Sequence, residues 1–182
     1  MRLSKFGGFN MKTVHELIVF ADNFQIQIQD LKEESDFPES WNDALLTQLY
    51  VVGDSVLGLG TVRDLDVELT IEVNSDRMDD KEIYTDPDCS DYDHVVQCNI
   101  EVPSGELLIS GCTESFDEAS KITVPPGSYG LRIFWSNLDS TDDLGFEGDD
   151  HYKIEMWPNT YFEERIIKVW RQIAFQMNPQ NN

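Results

Sequence analysis

A chain of 182 residues has the length of one domain, and its 40% hydrophobic and 11% aromatic content supplies a core, which excludes disorder of the whole chain. Thirty-five acids against 13 lysines and arginines leave a net charge of −22. That charge repels nucleic-acid phosphates and anionic membranes, so neither is an expected partner, and it attracts basic proteins or divalent cations. Three cysteines, an odd number with no Cys-x-x-Cys, argue against a disulfide framework or a thiolate zinc site. No 18-residue apolar run and no signal-type leader are visible, so the expected location is cytoplasmic.

Residues 1–12 read as a loose leader to a single domain spanning 1–182. "VHELIVF" (14–20) and "FQIQIQD" (24–30) follow. Phe24, Ile26 and Ile28 alternate with three glutamines, the period of a strand with one buried face. "ADN" between them reads as a hairpin turn. Residues 38–49 switch to helical spacing, with Trp41, Ala44, Leu45, Gln48 and Leu49 on one stripe and Pro38 and Glu39 suited to a first turn.

Strands return at 56–62 and 65–73. "GLG" at 58–60 marks a bulge or a close backbone approach rather than a phosphate loop. Strands 94–102 and 105–111 are joined by "PS", read as a second tight turn. "KITV" (121–124), "SYGLRIFWSNL" (128–138) and "HYKIEMW" (151–157) complete the set. Cys98 and Trp135 fall on apolar phases and are expected in the core. The tail, 162–177, fits a helix through Phe162, Ile166, Val169, Trp170, Ile173 and Met177, although "RIIKVW" alone fits an edge strand. Many short strands, one helix and no βαβ alternation predict an all-β fold, an antiparallel β-sandwich, with a β-barrel as the alternative.

The charge is uneven. Residues 76–93 hold eight acids and two bases, and 139–150 hold six acids and no base. Asp86, Asp88, Asp91 and Asp93 lie in the first segment, and Asp142, Asp143, Glu147, Asp149 and Asp150 in the second. Together with Trp157 they are the candidate partner-binding residues. Trp157 shares its strand phase with His151, Lys153 and Glu155, so it is either covered by the tail or exposed as an interface anchor. Ca²⁺ needs about six to eight oxygens, which two converging acidic loops could supply, but neither loop has EF-hand spacing. No cofactor is otherwise expected. Catalysis has little support: there is no Gly-x-Ser-x-Gly, and His94 and His151 beside aspartates read as surface histidines rather than oriented bases. A calcium-binding sandwich, and a carbohydrate-binding or hydrolase domain using Trp157, are the alternatives to a non-enzymatic binding protein.

Three stretches in order, "HELIVFADNFQIQIQD", "ITVPPGSYGLRIFW" and "HYKIEMWP", resemble the competence protein J family. The shared cues are a first strand ending in "VF", a Pro-x-Gly-x-Tyr turn (Pro125 to Tyr129) into a strand, and a late strand with Tyr152. The resemblance implies a β-rich cytoplasmic protein that binds and inhibits a DNA-entry nuclease. This chain departs from the family in its acidic loops and its tail, so no inhibitory residue is carried across. The expected partner is a basic protein such as a nuclease or toxin.

Overall fold

Period-two sequence needs a second layer to bury its apolar face, and the chain supplies that layer itself. The structure is a computed structural model that describes residues 11–32, 41–115, 117–142 and 144–173. Among the described residues eleven strands form two sheets. One has the order β1 (Lys12–Phe20), β5 (Asp66–Asn74), β10 (His151–Pro158), β9 (Gly127–Ser136), β6 (His94–Val102), β11 (Arg165–Lys168). The other runs β3 (Tyr50–Val52), β4 (Val56–Gly60), β2 (Gln25–Asp30), β7 (Glu106–Gly111), β8 (Ser120–Thr123). The two sheets do not close into a barrel. One neighbouring pair, β5 with β10, is parallel, so the six-stranded sheet is mixed and not wholly antiparallel.

The alternation read in the sequence sets which side chains face inward. Val67, Leu69 and Ile71 of β5, Leu131, Ile133 and Trp135 of β9, and Ile26 and Ile28 of β2 meet in one core. Cys98 and Trp135 are buried there as expected, and Trp135 Nε1 donates to the Gly60 carbonyl across the sheets at 2.9 Å. On the outer face of the larger sheet, Lys153 bridges Glu72 (3.3 Å) and Glu155 (2.6 Å).

The two turns read as hairpins are crossings between the sheets. β1 pairs with β5 and β2 with β4 and β7, so 21–24 carries the chain from one layer to the other. Residues 103–105 do the same between β6 and β7, held by Ser104, whose N–H and hydroxyl both donate to Asp30 at 2.8 Å. Within 21–24, Asn23 and Phe24 take left-handed backbone conformations, φ +54° and +58°.

Residues 38–40 of the expected helix lie outside the described residues. The part described, α1 (Trp41–Gln48), packs on the outer face of the smaller sheet through Trp41, Leu45, Val51 and Val56. Gly58 marks the close approach: a Cβ there would stand 2.5 Å from the Trp41 ring. Of the leader, residues 1–10 lie outside the described residues, and Lys12 already pairs with Asn74.

The tail is the main correction. Arg165–Lys168 is an edge strand against β6, and within the expected helix only residues 171–173 of those described are helical. Asn99 and Gln97, on the outer face of β6, hold it extended. Asn99 accepts from the Phe162 N–H and donates to the Phe162 carbonyl, both at 2.8 Å, and Gln97 donates to the Glu163 carbonyl at 2.8 Å. These bonds satisfy the backbone before a helix could do so. Phe162, Trp170 and Ile173 are buried; Ala174 onward, including Met177, lies outside the described residues. Arg165 also pairs with Asp86 at the surface, where exposure screens the attraction. Arg165→Ala is therefore expected to cost less than about 1 kcal/mol in urea denaturation; a larger loss would mean that charge, rather than Asn99 and the buried aromatics, fastens the tail.

Candidate functional site

Both acidic segments reach the same end of the larger sheet, because β6 starts, β9 ends and β10 starts there in register: His94 lies opposite Trp135, and Ser136 opposite His151. The first segment leaves β5 at the far end and crosses the outer face of the sheet. On the way it forms a short helix, α2 (Asp80–Ile83), which sequence reading missed. Asp79 caps it by accepting from the Lys81 N–H at 2.9 Å, and Met78 and Ile83 pack onto Trp157 and Phe162. Arg132 rises from β9 beneath this helix. It donates to the Glu82 and Thr85 carbonyls at 3.0 and 2.9 Å and lies over the Phe162 ring at 5.0 Å. Burial pushes its pKa down.

Trp157 is therefore covered, only 8% exposed, with Phe162 edge-on at 6.0 Å and Arg132 over its ring. It cannot serve as an exposed anchor, and a sugar ring cannot reach it. Its neighbours Met78 and Arg132 arrive from distant parts of the chain, which strand phase alone could not reveal.

The acids divide into structural and free groups. Asp93 ties the first segment to the residue that leads into the second: its carboxylate accepts from the Leu138 N–H at 2.8 Å. Asp150 is buried, takes an ion pair from Arg63 and accepts from the Tyr152 hydroxyl at 2.6 Å, so it too leaves the contact set. Asp86 pairs with Arg165. Asp88 accepts from the Ser90 N–H at 3.0 Å, and Asp142 from the Phe146 and Glu147 N–H groups at 2.7 and 3.0 Å. Those backbone donors hold both carboxyls below the usual aspartate range. Both remain exposed. Asp91, Glu147 and Asp149 are exposed and make no side-chain hydrogen bond or ion pair among the described residues. Asp143 lies outside the described residues.

Among the described residues, no three His, Cys, Asp or Glu side chains converge in a way that could hold a metal ion. The tail closes over this end. Lys168 Nζ donates to the Cys89 carbonyl at 2.9 Å and to the Tyr92 carbonyl, while Arg171 pairs with Asp139 at 2.9 Å. Two of the tail's three bases thus neutralise acids directly, and the outward-facing carboxylates stay uncompensated.

His94 sits under the same end and is a core residue, not a surface one. It is fully buried and edge-on to Trp135 at 4.9 Å. Its Nε2 lies 2.9 Å from the Gln48 carbonyl, and its Nδ1 accepts from the Trp170 N–H at 3.3 Å. This pattern requires a neutral ring protonated on Nε2, and burial lowers its pKa from 6.5 to about 4. His151, by contrast, faces outward, 3.2 Å from the Thr70 hydroxyl and 3.6 Å from Glu68.

The two-sheet sandwich is a fold that a solved structure shares. That structure is ComJ from Bacillus subtilis, an inhibitor of the DNA-degrading activity of NucA: the TM-score is 0.58 at 15% identity, covering 81% of this chain and 98% of that one. The resemblance read in the three sequence stretches thus holds as a likeness of fold. A second match is the product of crocagin biosynthetic gene J, with TM-score 0.48 and 18% identity over 82% of this chain and 99% of that one. No family model and no curated protein matches this sequence. Among the described residues no helix is long and apolar enough to cross a membrane.

Proposed function

We propose that this chain is a non-enzymatic binding protein that occupies the basic surface of a nuclease or toxin with its acidic end. The observation that carries the reading is the set of exposed, uncompensated carboxylates at one end of the sandwich: Asp91, Glu147 and Asp149, beside Asp88 and Asp142. The shared fold with a nuclease inhibitor supports it. A nuclease presents cationic side chains to DNA phosphates, and a rigid array of carboxylates competes for them. Such an array speeds encounter to roughly 10⁸ M⁻¹s⁻¹ at low salt, and ions screen it over about 8 Å at physiological strength.

The test is inhibition of purified basic DNA-degrading nucleases by the chain across a salt series, compared with the variant Asp91→Asn/Glu147→Gln/Asp149→Asn. The variant is expected to associate about tenfold or more slowly at low salt, to converge on the wild type at high salt, and to melt no lower, because these carboxylates support no contact in the fold. Inhibition that ignores both salt and the three substitutions would remove the acidic end from the interface.

A further inference from the structure

An apolar groove of about 360 Å³ opens at this same end of the sandwich, between the 21–24 crossing, the end of α1, residues 60–62 and the tail. Phe24, Leu45, Leu46, Leu49, Val62 and Trp170 line it. Two of these are unusually exposed for their size, Phe24 at 47% and Leu46 at 72%. Phe24 abuts Gly145, whose Cβ position lies 3.2 Å from the Phe24 ring, and Gly145 is flanked in the chain by the exposed Leu144 and Phe146. The second acidic loop therefore adjoins the groove at Phe24.

Phe24 and Leu49 both adopt φ +58°, a conformation bulky side chains avoid. Leu49 is buried, so its burial offsets the strain. Phe24 belongs to the crossing turn, where its carbonyl accepts from the Thr61 N–H at 2.9 Å, and 47% of the residue stays exposed.

We infer that this groove receives an apolar side chain from a cationic segment of a partner protein, deepening the proposed role, on which this inference rests. The choice of occupant follows from charge. The elements around the groove carry Asp22, Asp43, Asp139, Asp142, Glu147 and Asp149. Against them stand Arg171, held by Asp139, Arg63, held by Asp150, and Lys168, held by the Cys89 and Tyr92 carbonyls. A second copy of this chain would bring −22 against the same rim and is repelled. A segment with an aromatic or aliphatic residue between lysines or arginines satisfies both parts, with the apolar residue as the central contact and the bases on the rim.

The experiment is a methyl NMR titration of the whole chain with a synthetic peptide, Lys-Lys-Phe-Leu-Lys-Lys, capped at both ends. Saturable shifts at the Leu45, Leu46 and Leu49 methyls are expected. Replacing the peptide's Phe-Leu by Ser-Ser should weaken binding about tenfold or more, and so should Phe24→Asn in the protein. Asparagine tolerates the left-handed backbone, so this variant should melt at or above the wild-type temperature, where a merely structural Phe24 would lower it. The inference fails if the serine peptide binds equally, if the shifts fall elsewhere, or if none saturate. Shifts that follow protein concentration without peptide would assign the groove to a second copy. Cross-relaxation from Leu46 to Phe175 or Met177 would assign it to the chain's own end; either overturns the proposal. In the nuclease assay, inhibition lost with the acidic triple variant but kept with Phe24→Asn would overturn the groove and leave the acidic interface standing. Peptide seated in the groove with no nuclease inhibited would do the reverse.

Discussion

Arg63→Ala should destabilise the protein by about 3–5 kcal/mol in urea denaturation at neutral pH, a large part of the stability of a domain this size. The loop from β4 to β5 brings Arg63 across the gap between the sheets to Asp150, where β10 begins, and the Asp150 side chain is wholly buried. The Val62 N–H donates to the Tyr152 hydroxyl at 3.0 Å, and that hydroxyl donates to Asp150 at 2.6 Å. Without the guanidinium, a buried carboxylate keeps one neutral donor and no counter-charge. Desolvation, not the lost attraction, makes the change costly. The double variant Arg63→Ala/Asp150→Asn removes the stranded charge and should recover much of the loss. If the single and double variants are equally unstable, packing of the arginine stem, and not charge, is what the single substitution removes. The network also sets the footing of the acidic loop, because Asp150 is the residue at which that loop rejoins the sheet.

Acidification should weaken the fold through His94. The ring is neutral in the folded protein, with a pKa lowered to about 4 from 6.5. Below pH 6.5 the unfolded chain therefore binds a proton that the folded one refuses. Stability from the neutral ring is complete above about pH 6.5 and drains away as pH falls toward 4, by about 3 kcal/mol in all. Denaturation midpoints of the wild type at pH 7 and pH 4.5 measure the slope. His94→Gln, which cannot take up a proton, should flatten it across that window, whatever its cost at pH 7. Equal slopes in the two proteins would place the acid sensitivity in other groups. Because His94 joins the end of α1 to the tail at Trp170, its protonation should loosen the tail first, visible as faster amide exchange at Trp170.

Much of the architecture was legible because alternation is a local property. Leu65 to Val73, His94 to Val102 and His151 to Trp157 each declare one apolar face, and two such faces must meet, so a sandwich with Cys98 and Trp135 inside follows from the pattern. The resemblance to the competence protein J family lay in the same stretches, strand endings and a turn, and it holds for the fold. Pairing is not a local property. Nothing in "ADN" or "PS" distinguishes a hairpin from a step between layers; the choice depends on β5 lying beside β1 and on Asp30 holding Ser104.

The acidic segments were visible as charge, and their roles were not. Asp150 and Asp149 are neighbours of the same type, yet one is sealed under Arg63 and the other is free, and only the β4–β5 loop decides that. The tail has helical spacing, yet its first half runs extended into a strand because Asn99 and Gln97 offer its backbone partners at 2.8 Å; helix begins only at 171–173. What the residues determined unaided was which side chains seek burial and where negative charge is dense. Which strand each one neighbours, which carboxylates reach solvent, and that an apolar groove opens beside them were decided by contacts between residues far apart in the chain, where desolvation and hydrogen bonding act and short-range periodicity carries no information.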